Sequence, residues 1–316
     1  MSREQRARAN AGLIAFLLLS FSLTWAVAAS LRALGLTGVP VERLGTRLFT
    51  TSLLYVLTMG WQPFVATLLV RRWVDPPDAL DLGLRPTRGV FSFVGGVSAI
   101  AFVALAAVVA FVLGAASGSS TPETEALDAD GLNALALMLA FFGTIALVWL
   151  QAFAEELGWR GYFLPRAMER FGHWPGLLLH GAVWGLWYAP VLLFATEGPL
   201  EFSSVLRPLA FVVTCALLGT LYGWLRLASG SLAPVVVTNT TLTLAAGLPY
   251  VIHGVDPGLR SSAFGASGWL VLVVAIAALA MTRWRSVVRL PLALSEVPVS
   301  AVGFLMRRPP GKQYLH

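Results

Sequence analysis

The chain has 316 residues, 57% of them hydrophobic and only 12% charged, with a mean hydropathy of +0.75. A soluble domain is about a quarter charged, so composition excludes a soluble globular protein. The formal charge of +6 then fits the positive-inside bias of membrane proteins, and nucleic acid is not an expected partner.

Uncharged apolar runs of about 20 residues recur along the chain, and each can cross a hydrocarbon core of about 30 Å. In chain order they predict eight spans, at about 11–34, 48–70, 90–114, 132–157, 175–195, 204–227, 231–250 and 267–283. The expected fold is all-α, a polytopic membrane bundle of about eight transmembrane helices. A single transmembrane domain over 1–283 is followed by a basic tail, 284–316, lying on the anionic inner leaflet or disordered. The N-terminus has the parts of a signal sequence, but its apolar run is long for one, so an uncleaved first span is expected. The seventh span, with several Thr, an Asn and two Pro, should face protein rather than lipid. The single Cys215 lies inside an apolar run and cannot form an intrachain disulfide.

Basic residues set the orientation. Arg3, Arg6, Arg8, Arg71, Arg72, Arg85, Arg88, Arg160, Arg166, Arg170, Arg226 and six residues after the last span fall on one side. Arg32, Arg43, Arg47, Arg207 and Arg260 fall on the other. Both termini should therefore be cytoplasmic in an inner membrane. The acidic loop 115–131, which has no basic residue, belongs outside.

The stretch "WLQAFAEELGWRGYFLPR" at 149–166 ends the fourth apolar run with Glu155, Glu156 and Arg160. On a helix Glu156 and Arg160 are four apart and share a face. Glu155 is rotated by about 100° and is left spare. A spare carboxylate in a poorly solvated site can take a proton from water and later return it. The spacing alone fits better an interfacial charge cluster whose side chains snorkel to water.

The wider wording of "EELGWRGYFLPR" resembles the first motif, E-E-x-x-x-R, of the CAAX-protease and bacteriocin-processing (CPBP) family of intramembrane glutamic endopeptidases. "WGLWYAP" at 184–190 resembles its second motif, "GSLAPVVVTNTTLT" at 230–243 its third, and "DLGLRP" at 81–86 a weaker cytoplasmic element, a family-like core of about 80–245. The resemblance implies that Glu155 activates a water, with Glu156 and Arg160 beside it. It also implies that the residues at 188, 239 and 243 orient that water and bind the developing oxyanion. The family has His, His and Asn there, and this chain has Tyr188, Asn239 and Thr243. All three can still donate a hydrogen bond, but none accepts a proton near neutral pH as imidazole does. Trp159, Trp184 and Trp187 are candidates to line a groove for a lipidated substrate. By helical rise Tyr188 lies about 20 Å along span five and Asn239 about 12 Å into span seven, so both reach Glu155 only if span five starts in the cytoplasm or tilts.

Two functional expectations stand. One is a metal-independent endopeptidase without a cofactor, acting on a peptide or prenylated protein C-terminus. The other is a non-peptidase relative, either an isoprenoid- or lipid-transforming enzyme or a catalytically silent immunity or scaffold protein. The four His include no H-E-x-x-H. His180 is expected to pack or cap rather than replace the His missing at 188.

Overall fold

A computed structural model describes residues 3–34, 60–75, 81–113, 134–194, 202–253 and 263–282. The acidic loop at 115–131, the first half of span two and the tail at 284–316 lie outside the described residues. The elements are α1 (Arg3–Ala33), α2 (Trp61–Trp73), α3 (Gly89–Val112), α4 (Ala134–Glu156), a π-helical segment (Leu157–Phe163), α5 (Leu164–Phe171), α6 (His173–Trp187), α7 (Ala189–Phe194), α8 (Phe202–Ser229), α9 (Ala233–His253) and α10 (Ala266–Thr282). There is no strand among the described residues. Four stretches are long and apolar enough to cross a membrane: Arg6–Ala33, Gly89–Val112, His173–Leu193 and Pro208–Ser229. Ala233–Ala246 and Ala266–Met281 are shorter apolar helices. The protein is thus a multi-pass helical membrane bundle. Its α3 turns Phe93, Val97, Ile100, Val108 and Phe111 outward, as a lipid-facing helix must.

In lipid, close helix packing relies on small residues that let backbones approach. Helix α6 supplies Gly181 and Gly185, four apart, and α8 answers with Gly219 and Gly223. A Cβ on Gly219 would stand 2.6 Å from the Gly181 Cα, and one on Gly181 would stand 2.4 Å from the Cys215 carbonyl oxygen. The two helices therefore meet backbone to backbone. Span five is one apolar run but two helices, parting at Tyr188. Pro190, two residues on, has no N–H for the helical ladder.

Two polar latches fix the end of the bundle near the first motif. Asp75, just past α2, accepts from Arg166 Nε and Nη2, both at 2.8 Å, and from the Tyr162 hydroxyl at 3.0 Å. This bidentate pair, nearly buried, ties α2 to the π segment and α5. The "DLGLRP" loop clasps the opening of the third motif. Arg85 Nε donates to the Gly230 carbonyl (2.6 Å), Ser231 Oγ to the Arg85 carbonyl (2.6 Å) and Leu232 N to the Gly83 carbonyl (2.9 Å). Arg226 adds a bond to the Asp81 carbonyl at 3.0 Å. Gly83 and Gly230 both take positive φ, 74° and 66°, which glycine adopts at little cost.

Candidate active site

The chain stays helical past Glu156, as the sequence suggests, but widens into the π segment. Such single-turn widenings recur at functional sites. Glycines let it pack closely: a Cβ on Gly158 would stand 2.3 Å from the Pro63 Cβ and 2.8 Å from the Pro63 carbonyl. Every residue from Ala154 to Met168 is buried.

The two carboxylates diverge and find different partners. Glu156 Oε1 accepts from Arg160 Nη1 and from Asn239 Nδ2, each at 2.9 Å. Glu156 and Arg160 are both fully buried, so this is an enclosed ion pair and not a snorkelling surface cluster. Glu155 is not spare. Its Oε1 accepts from Trp184 Nε1 at 2.5 Å and its Oε2 from the Tyr188 hydroxyl at 2.9 Å. The Arg160 guanidinium lies 4.0 Å over the Trp184 ring and 4.9 Å from that of Tyr222. Helices α4, α6, α8 and α9 and the π segment thus converge on one acidic cluster.

The residues singled out from sequence divide. Glu155, Glu156, Arg160, Trp184, Tyr188 and Asn239 are in the cluster, although Asn239 meets Glu156 rather than Glu155. Thr243, one turn beyond Asn239, is exposed and stands outside it. Trp159 and Trp187 are enclosed, not open to a groove. Trp159 packs on Phe16 and Trp187 at ring separations of 5.4 and 5.8 Å, and Trp187 Nε1 donates to Thr24 Oγ1 at 2.5 Å. His180 is buried beside Phe163, ring centroids 6.2 Å apart, which is packing.

Tyr222 is the residue that sequence reasoning missed. An aromatic in the middle of α8 reads as core, and the only hint was its place among the helix's small and polar residues. Its ring faces Trp184 at 5.9 Å. Among the described residues its buried hydroxyl has no hydrogen-bond partner, nor do Glu156 Oε2, Arg160 Nε and Arg160 Nη2. Tyr222 also forms part of the wall of an apolar cavity of about 350 Å³, which Phe102, Leu105, Leu218, Leu242 and Leu272 line as well. The cluster can therefore hold a carboxylate near several N–H and O–H donors, with apolar space next to it.

Comparison with known proteins bears on the same residues. Residues 136–245 match the family model described as type II CAAX prenyl endopeptidase Rce1-like. A curated relative, CAAX prenyl protease 2 of Methanococcus maripaludis, is 29% identical over 89 residues, which are 28% of this chain and 33% of the relative. The match thus spans about a third of that relative's length. The resemblance to the CPBP family is borne out over residues 136–245, an Rce1-like segment that contains the three motifs and every side chain of the acidic cluster.

Proposed function

We propose that the protein is a CAAX-type intramembrane endopeptidase that uses Glu155 as its general base and acts on a peptide or prenylated protein C-terminus. The observation that carries this reading is the separation of the two buried carboxylates. Glu156 is committed to Arg160 and Asn239, while among the described residues Glu155 is held by the neutral donors Trp184 and Tyr188. Two adjacent acids in different environments suit different roles.

In this reading Glu155 takes a proton from the attacking water as its oxygen bonds to the scissile carbonyl carbon. It then gives that proton to the departing amine as the C–N bond breaks. Arg160 Nε and Nη2, which have no partner among the described residues, and the second N–H of the Asn239 amide are the donors for the oxyanion, while the Tyr188 hydroxyl stays on Glu155. Each donor of this kind contributes about 3–4 kcal/mol in other enzymes. The cavity that shares Tyr222 with the cluster supports a substrate with an apolar tail. The protein would sit in the cell membrane with both termini cytoplasmic, in keeping with the basic residues assigned to that side.

Turnover of a lipidated peptide by the wild type and by Glu155→Gln tests the mechanism. The amide keeps the shape and a hydrogen bond but cannot accept the proton, so cleavage should be lost while folding is retained. Cleavage that survives the change refutes this use of Glu155.

A second reading, an enzyme on an isoprenoid or other lipid, is favoured by two observations: among the described residues no imidazole bonds to either carboxylate, and Thr243 stands outside the cluster. The triple change Tyr188→His, Asn239→His and Thr243→Asn separates the two. It preserves or raises peptide cleavage in the first reading and destroys the native lipid turnover in the second.

A further inference from the structure

Away from the acidic cluster, the first turns of α1 meet the short helix α5 along a cleft of about 500 Å³. Arg6, Asn10, Arg166, Glu169 and Arg170 line it, with Ala9 and Leu13 as its apolar part. The charges here are not equivalent. Arg166 is neutralised from within, since it donates to both oxygens of Asp75 and, at 2.7 Å, to Glu169 Oε2. Arg8, a neighbour on α1, is paired with Glu4. Arg6 and Arg170 have no ion pair among the described residues, and both are exposed. Two uncompensated guanidiniums, from segments far apart in sequence, therefore converge on one cleft beside an amide.

The setting selects the ligand. Planar guanidinium donors match phosphate oxygens. The cleft lies where the membrane-spanning part of α1, Arg6–Ala33, begins. Phe171 and Trp174, beside Arg170, are 47% and 40% exposed, as aromatic side chains are at the headgroup level. Helix α5 is amphipathic, with its Leu164, Ala167 and Met168 face buried and Glu169 and Arg170 turned outward. A free phosphate would use the two arginines but have no use for the exposed aromatic rings beside them. A phospholipid would use both, the phosphate on Arg6 and Arg170 and the start of an acyl chain against Phe171 and Trp174, since Ala9 and Leu13 are each only 7% exposed.

We propose that the α1–α5 cleft is a binding site for the phosphate headgroup of an anionic phospholipid, held by Arg6, Asn10 and Arg170. Arg166 is the structural strut beneath it. The site is separate from the acidic cluster and does not depend on how that cluster reacts.

The test uses the full chain in phosphatidylcholine vesicles with increasing phosphatidylglycerol. The wild type should melt at a higher temperature as phosphatidylglycerol rises, and should retain it over phosphatidylcholine through detergent purification, read by mass spectrometry of the bound lipid. Arg6→Gln with Arg170→Gln should weaken phosphatidylglycerol binding by about 30-fold, from about fivefold for each basic residue near the surface. Arg72→Gln with Arg88→Gln, two exposed arginines outside the cleft on the same side, should weaken it clearly less, by the general surface attraction alone. If the first double variant does not fold, Arg6→Gln alone, near the start of α1, should still show the fivefold loss. The proposal is overturned by an equal response to both lipids or by the same loss in the Arg72/Arg88 control. It is also overturned if inorganic phosphate in phosphatidylcholine vesicles raises the melting temperature as much, which would make the cleft a free-anion site.

Discussion

Arg160→Ala should be among the most destabilising single changes in the protein. The Arg160 Nη1 to Glu156 Oε1 distance is 2.9 Å and both side chains are fully buried. At that separation and an effective dielectric of about 20, the attraction is about 6 kcal/mol. The variant no longer has to desolvate a guanidinium, which returns part of this. Breaking a buried pair by removing one partner therefore costs about 3–5 kcal/mol net. The loss of stacking over Trp184 at 4.0 Å acts in the same direction. Asn239 is left as the lone donor to Glu156. Glu155→Ala, by contrast, removes the acceptor of the buried Trp184 N–H, at about 1–3 kcal/mol, and of the half-buried Tyr188 hydroxyl, which water can reach at less cost. In a detergent melt Arg160→Ala should lower Tm by about 10 °C, taking about 2–4 °C per kcal/mol, and Glu155→Ala by clearly less. A Glu156→Leu/Arg160→Met double variant removes both charges and should recover most of the loss. Equal melting of the two single variants, or a double variant as unstable as Arg160→Ala, would refute the argument that the ion pair is what holds the cluster.

Gly219→Val should weaken the α6–α8 contact by about 1–3 kcal/mol or more, because its Cβ would stand 2.6 Å from the Gly181 Cα; the check is a thermal melt against Gly143→Val, where nothing lies within 4 Å. Asp75→Asn should lower stability by about 1–3 kcal/mol, since it weakens the bidentate bonds to the buried Arg166 guanidinium while Glu169 still pairs with it; unfolding in a denaturing detergent reads this. Tyr222→Phe removes a buried hydroxyl that has no partner among the described residues, so the melting temperature should hold or rise. A reporter fused after His316 should read as cytoplasmic and one inserted near Ala126 as external.

Some of this protein could be read directly from its residues. Apolar runs of bilayer length set the helical membrane fold, because hydrocarbon leaves the backbone no partner but itself. The i, i+4 spacing alone pairs Glu156 with Arg160, since helical geometry brings those two together in almost any context. Sequence also shows that Glu155 turns away from its neighbour. It does not show what waits on the other side, and the partners Trp184 and Tyr188 come from α6, 29 and 33 residues away. Such pairings depend on how helices cross, which periodicity does not encode. The rise along a straight helix left the depths of Tyr188 and Asn239 unreconciled. In the folded bundle each meets its own carboxylate, and α9 turns Thr243 outward a single turn later. The π segment was equally hidden: its Gly158 packs on Pro63, a contact between separate helices. Tyr222 and the α1–α5 cleft complete the pattern. Local sequence determined which segments are helices and which neighbouring charges pair. Only the tertiary packing decided which faces meet, and so which polar groups lost water together and became a site.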